Sequence, residues 1–171
     1  MTCHWLYHTP DGMADLMLES DGEFLTGVRF AASAKVSDSS GTKTQLLPVF
    51  KQTIRWLDEY FSGHAPDVLP PNRISGLTDF RRDVISVLLS IPYGQTMTYG
   101  EIAGLLAKRR GIARMSAQAV GGAVGWNPLC ILIPCHRVVG ASRRLTGYGG
   151  GMENKIALLR GEGIDLTGWQ I

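Results

Sequence analysis

The chain has 171 residues, 44% hydrophobic and 19% charged, with a net charge of +2. That composition supports a packed core and excludes global disorder, and the length suits one large domain or two small ones. No apolar run approaches the ~20 residues of a membrane span, the start Met1-Thr2-Cys3-His4-Trp5 lacks the basic-then-apolar pattern of a signal peptide, and three cysteines, an odd number, fit a reducing, cytoplasmic setting.

In chain order, Ala14–Glu19 and Phe24–Phe30 read as a β-hairpin across the turn signal Ser20-Asp21-Gly22-Glu23. Residues 31–45, rich in Ser, Ala, Thr and Lys, read as a loop. From Leu46 to Phe61 the apolar positions 46, 47, 50, 54, 57, 60 and 61 form a helical face. Gly63 ends it, and Pro66, Pro70 and Pro71 make an extended connector, so the spacing predicts domains at 1–75 and 76–171.

The second segment reads as mostly helical. Phe80–Leu89 is ended by Ile91-Pro92-Tyr93-Gly94, Thr98 caps a helix from Tyr99 to about Lys108, and Lys108–Arg114 is a basic loop. Ser116 caps a third helix, Ala117 to about Val124, whose two internal glycines each cost about 1 kcal/mol relative to alanine. Close approach of another surface is the usual reason for such a composition. Two short helices, the second small-faced and flanked by positive charge, read as a helix-turn-helix.

The total charge conceals a partition. Residues 1–75 hold 6 basic and 9 acidic side chains; residues 76–171 hold 11 basic and 6 acidic. Between Glu101 and Glu153 there is no acid, and that interval contains Lys108, Arg109, Arg110, Arg114, Arg137, Arg143 and Arg144. A single-signed stretch of this length is either an electrostatic footprint for a polyanion or a solvated basic face.

Ile131-Leu132-Ile133-Pro134-Cys135-His136-Arg137-Val138-Val139 carries the chemistry. A thiol with an unperturbed pKa of about 8.5 needs a base or a positive field to become the reactive thiolate. His136 is the candidate base, Arg137 adds positive field, and a third group should orient the imidazole. Cys130, with no histidine beside it, reads as a small buried hydrophobe.

Around this core the sequence resembles the O6-alkylguanine-DNA alkyltransferases, the methylated-DNA–protein-cysteine methyltransferases. The resemblance runs from about Phe80 to Gly163 through Ile91-Pro92-Tyr93-Gly94-Gln95-Thr96, Thr98-Tyr99-Gly100-Glu101-Ile102-Ala103, Ala119-Val120-Gly121-Gly122-Ala123 and Asn127-Pro128. It continues through Pro134-Cys135-His136-Arg137-Val138, Gly147-Tyr148-Gly149-Gly150-Gly151 and Leu158-Leu159-Arg160-Gly161-Glu162-Gly163. It implies an α/β two-domain fold, with an N-terminal ribonuclease-H-like domain and a C-terminal helical, winged-helix-like domain.

It also implies roles. Cys135 is the nucleophile, reached through a water by His136, which Glu162 orients. Tyr99 donates a proton to the leaving guanine and turns the target phosphate, and Asn127 braces the helix-turn-helix against the cysteine. Pro134, Val138, Tyr148, Gly149 and Lys155 line the alkyl pocket. The third helix enters the minor groove with Ala117, Ala119 and Gly121, and Ser116 and Arg114 meet phosphates. The family's intercalating arginine falls on Gln118, which is uncharged. The implied activity is single-turnover transfer of an alkyl group from O6 of guanine, and from O4 of thymine, in duplex DNA to Cys135, by a monomer without cofactor. Cys3, His4 and His8 lack a clear fourth ligand, so no metal is expected. The alternatives are a module that binds alkylated DNA without transfer, against which the intact Cys135 speaks, and a cysteine hydrolase, which would turn over.

Overall fold

The computed structural model describes residues 2–31, 43–64 and 66–171. Most of the loop expected at 31–45 lies outside the described residues. The fold is mixed α/β, with five α-helices and two small sheets among the described residues. The chain divides into two compact units: Met1–Ser75 with Pro128–Leu132, and Gly76–Asn127 with Ile133–Ile171. The strip Pro128–Leu132 therefore belongs to the first unit although it falls within the 76–171 span.

The first unit holds a four-stranded sheet in the order β3-β2-β1-β4, formed by β1 (Cys3–Tyr7), β2 (Leu16–Ser20), β3 (Leu25–Phe30) and β4 (Lys43–Thr44). β1–β2 and β2–β3 are antiparallel, and β4 runs parallel to β1. The β2–β3 pair is the expected hairpin, with a register shift at Glu19/Ser20. Leu16 and Leu18 bury one face of β2, as strand alternation requires. β1 has no counterpart in the sequence reading, because its burial does not alternate. Helix α1 (Pro48–Phe61) starts at a proline suited to the first turn and buries Val49, Phe50, Thr53, Trp56, Leu57 and Tyr60.

In the second unit, α2 (Asp79–Ser90) is capped by Thr78, whose side chain accepts from the Arg81 amide. Helix α3 (Tyr99–Arg110) opens on a capping box: Thr98 Oγ1 accepts from the Glu101 amide at 3.1 Å, and Glu101 accepts from the Thr98 amide at 2.7 Å. It closes at Gly111 in the left-handed region, φ 64°. The basic stretch expected as a loop from Lys108 is thus helical through Arg110, where three cations suit a helix C-terminus. Helix α4 (Ala117–Gly125) starts at Ser116, which accepts from the Ala119 amide at 3.2 Å. β5 (Met97–Thr98) and β6 (Val138–Val139) form a parallel two-stranded sheet. Helix α5 (Met152–Gly161) packs its Leu159 against Val139 and Leu145. It was not foreseen as a helix, because it directly follows a glycine-rich run.

Candidate active site

Cys135 lies on a single 3-10 turn, Cys135–Arg137, between Pro134 and β6, and all three of its residues are buried. Asn127 and Tyr148 reach its sulfur. The Asn127 Nδ2 donates to Cys135 Sγ at 3.1 Å and to the Ile133 carbonyl at 2.8 Å. Asn127 reaches this point because α4 ends just before it, the Asn127 amide donating back to Val124. Tyr148 Oη lies 3.9 Å from the sulfur.

His136 is fully buried, and its Nε2 pairs with Glu162 Oε1 at 2.7 Å. Burial pushes the imidazole below its ordinary value, against the opposing pull of Glu162. Glu162 also accepts from Arg137: Nε lies 2.9 Å from Oε2 and Nη2 2.9 Å from Oε1. The Gly94 amide donates to Oε2 at 3.0 Å. Burial alone would raise the Glu162 carboxyl, but the bonds from His136 and Arg137 outweigh it and hold the group at about 2. Glycine is required at 94, where φ is +76° and an added Cβ would sit 3.0 Å from the Glu162 carbonyl oxygen.

This corrects one expectation. Arg137 was expected to supply positive field to the thiol and to count toward a polyanion footprint. Its guanidinium is instead buried on Glu162, with Nη1 donating to the Ile91 carbonyl at 2.7 Å.

Lys155, on α5, is fully buried and donates from Nζ to the Val138 carbonyl at 2.6 Å and the Thr146 carbonyl at 3.1 Å. Burial lowers it to about 8, while the nearby Cys135 pulls the other way. Its ammonium lies 5.9 Å from the Tyr148 ring centroid. Pro134 and Val138 are buried, Tyr148 is half-buried and Gly149 is exposed. Tyr99 is half-buried at the start of α3, and its phenol is raised by burial, with Cys135 adding to the rise and Thr146 opposing it. Asn127, Tyr148, Lys155 and Tyr99 thus interact with Cys135, and His136, its neighbour in the chain, is held by Glu162.

Tyr99 apart, no residue expected to meet DNA supplies one of these buried hydrogen bonds. Arg114, Ser116, Ala117, Gln118 and Ala119 are exposed. Gly121 faces Tyr99, an added Cβ lying 3.7 Å from its ring, whereas one at Gly122 would meet open space. Internal crowding therefore does not explain the glycine at 122. Trp126 is stacked under the Arg81 guanidinium, 4.0 Å from the ring centroid. Cys130, expected to be buried, is only half-buried.

Gly94 and Arg137 are the site residues whose roles sequence reasoning missed. Both lie in motifs that carried the resemblance, but nothing in the spacing showed that they converge on one carboxylate.

Residues 79–164 match the family described as "6-O-methylguanine DNA methyltransferase, DNA binding domain". The chain is 36% identical over 165 residues to a methylated-DNA–protein-cysteine methyltransferase of Haemophilus influenzae, covering 96% of this chain and 89% of that protein. It is 40% identical over 157 residues to the protein of the same name from Mycobacterium bovis, covering 90% and 89%. Its fold is similar to the crystal structure of Mycobacterium tuberculosis OGT in complex with DNA, with a TM-score of 0.76, 37% identity, and coverage of 94% of this chain and 93% of that one.

Proposed function

The chain belongs to the 6-O-methylguanine DNA methyltransferase family, and from that premise we propose that it repairs duplex DNA by moving an alkyl group from O6 of guanine, or O4 of thymine, onto Cys135. The observation that carries this reading is the buried Cys135 sulfur, with an amide donor 3.1 Å away and an adjacent imidazole fixed by a carboxylate at 2.7 Å.

Each residue has a defined task. Nε2–H of His136 donates to Glu162, which leaves the Nδ1 lone pair to take the thiol proton through a water. The Asn127 N–H and the Lys155 cation stabilise the thiolate. The target base must leave the stack to reach a buried sulfur. Sulfur then attacks the alkyl carbon: the S–C bond forms, the C–O6 bond breaks, and the electron pair goes to the purine. Tyr99, kept protonated by burial, supplies the proton at N3. The thiol proton on His136 and the phenolate at Tyr99 balance through solvent, so the net products are thioether and guanine. The site holds no group positioned to cleave a thioether, so each molecule acts once.

Duplex DNA is the partner, and α4 is its reading element. Gly122 faces open space and α4 is free of charge along its length, which supports seating in a narrow groove, with Gln118 as the finger in the vacated base position. The α4 N-terminus at Ser116 and the side chain of Arg114 meet phosphates. The strand order β3-β2-β1-β4, with β4 parallel to β1, supports a ribonuclease-H-like first domain at 1–75. Helices α2–α4 with the β5–β6 pair support a winged-helix-like second domain at 76–171. The protein acts as a cytoplasmic monomer.

The test is to mix the protein with excess duplex containing O6-methylguanine and to take intact mass and a peptide map. One methyl group per chain, on Cys135, is the expected result, and Cys135→Ser should accept none while still binding duplex. Binding without transfer by the parent chain would make it a recognition module. Several turnovers per chain would overturn the single-use mechanism.

A further inference from the structure

Arg137 lies beside the nucleophile in sequence but is not directed at it. Its guanidinium forms a two-point pair with Glu162, through Nε at 2.9 Å to Oε2 and Nη2 at 2.9 Å to Oε1, and its remaining arm is tied to the Ile91 carbonyl. It lies 5.7 Å from the Tyr93 ring centroid, and the Tyr93 hydroxyl in turn donates to the Gly161 carbonyl just before Glu162. Such a fork is a geometry that lysine cannot reproduce.

We propose that Arg137 is a positioning residue for the transfer reaction: by pairing with Glu162 it lets the carboxylate orient His136 without adding a proton to the pair. The proposal rests on the alkyl-transfer reading of this site.

A lone buried carboxylate against a histidine binds one proton more readily than a carboxylate already neutralised by a guanidinium. Either location of that extra proton is harmful. On the imidazole, it gives both nitrogens an N–H. On Glu162, the carboxylic O–H donates to Nε2 and forces the ring hydrogen onto Nδ1. In both cases Nδ1 loses the lone pair needed to accept the thiol proton. With Arg137 present, Glu162 has its charge balanced and still accepts from Nε2–H.

The charged and titratable groups around the imidazole are few. Glu162 and Arg137 form the pair, Cys135 lies on the same turn, and Lys155 approaches from α5 and, like Arg137, opposes a charge on the ring. Tyr93 faces Glu162 and Arg137 from the turn after α2. Removing Arg137 deletes one of two cations that disfavour imidazolium and leaves Glu162, which favours it.

The experiment is the pH dependence of single-turnover methyl transfer for the parent, Arg137→Met and Arg137→Lys, together with 15N NMR of the imidazole and duplex affinity. In the parent, His136 should show a neutral ring with hydrogen on Nε2 at pH 7. In Arg137→Met the acid limb should move up by about 1–3 pH units, while duplex affinity stays within about twofold, as expected for a guanidinium buried on Glu162 and not offered to phosphate. Arg137→Lys, which restores charge but not the fork, should return part of that shift. An unmoved limb in a folded Arg137→Met variant overturns the proposal, and so does a parent His136 that is charged at pH 7 or carries its hydrogen on Nδ1. The parent NMR measurement decides even if Arg137→Met does not fold. It is also independent of transfer, so a parent chain that accepts no methyl refutes the alkyl-transfer reading separately.

Discussion

The most direct test of the chemistry is Asn127→Ala. One amide nitrogen divides its two hydrogens between the Ile133 carbonyl at 2.8 Å and the Cys135 sulfur at 3.1 Å, all buried. The first bond is neutral, and losing it costs about 0.5–1.5 kcal/mol, because the Ile133 carbonyl keeps the Cys135 amide as a donor at 2.8 Å. The second acts on rate. A hydrogen bond to a charged acceptor contributes about 1.5–3 kcal/mol against about 1 for a neutral one. The bond therefore favours thiolate over thiol by about 0.5–2 kcal/mol, which is roughly 2–30-fold in the population of the nucleophile.

Single-turnover transfer at pH 7 should therefore fall about 2–30-fold, on the same scale, and melting should drop by a few degrees, at about 2–4 °C per kcal/mol for a chain of this size. The rate deficit should shrink as pH rises and solvent base supplies the thiolate, and iodoacetamide alkylation of Cys135 without DNA should show the same trend. Asn127→Asp, which places a carboxylate against the sulfur, should transfer more slowly than Asn127→Ala. A folded Asn127→Ala protein transferring at the parent rate would refute the thiolate-donor role, and a deficit equal at every pH would assign the loss to geometry instead of charge.

Three further outcomes follow from the same geometry. Glu162 is held at about 2 against an ordinary 4.5, so its contribution is complete above about pH 4.5 and is lost as pH falls toward 2. Denaturant titrations should show about 3 kcal/mol of acid-dependent stability from this group, absent in Glu162→Gln; equal acid slopes in the two proteins would contradict it. Gly122→Ala should stabilise the fold by up to about 1 kcal/mol, because its Cβ meets open space, while Gly122→Leu should weaken duplex binding without lowering the melting temperature; a Leu variant with parent affinity would exclude this face from the groove. Arg114→Ala should reduce the slope of log affinity against log salt by about 1, and an unchanged slope would remove Arg114 from the phosphate contacts.

The parts legible in the sequence were those governed by near neighbours. The β2–β3 hairpin was readable because a turn signal separates two apolar runs, and the α3 start was readable because Thr98 and Glu101 have capping-box spacing. Cys135 stood out through the histidine beside it. Glu162 was different: it lies 26 residues from His136, and no local spacing connects a carboxylate after one helix to an imidazole on a distant turn, so only the family resemblance supplied it. β1 lacked alternation, and α5 was obscured by the glycines before it. Arg137 was misread for a specific reason: charge counting treats every arginine as solvated, whereas burial is decided by the elements packed around it.

The same distinction narrows the meaning of the acid-free interval. Of its seven cations, Arg137 is committed to Glu162 inside the protein and Arg110 to Asp83, at 2.6 Å. Arg144 hydrogen-bonds Gln170. Arg143 is exposed on the short turn Ala141–Arg143. Lys108, Arg109 and Arg114 are exposed at the end of α3 and before α4, whereas α4 itself, Ala-Gln-Ala-Val-Gly-Gly-Ala-Val-Gly, carries no charge. Attraction and fit are thus assigned to different residues. The flanking cations set the salt-dependent part of duplex affinity, and the uncharged helix sets how closely the backbones approach. Substitutions on the two should separate accordingly: a bulky side chain on α4 lowers affinity with the salt slope intact, and loss of a flanking cation lowers the slope without disturbing the methyl-transfer step once DNA is saturating.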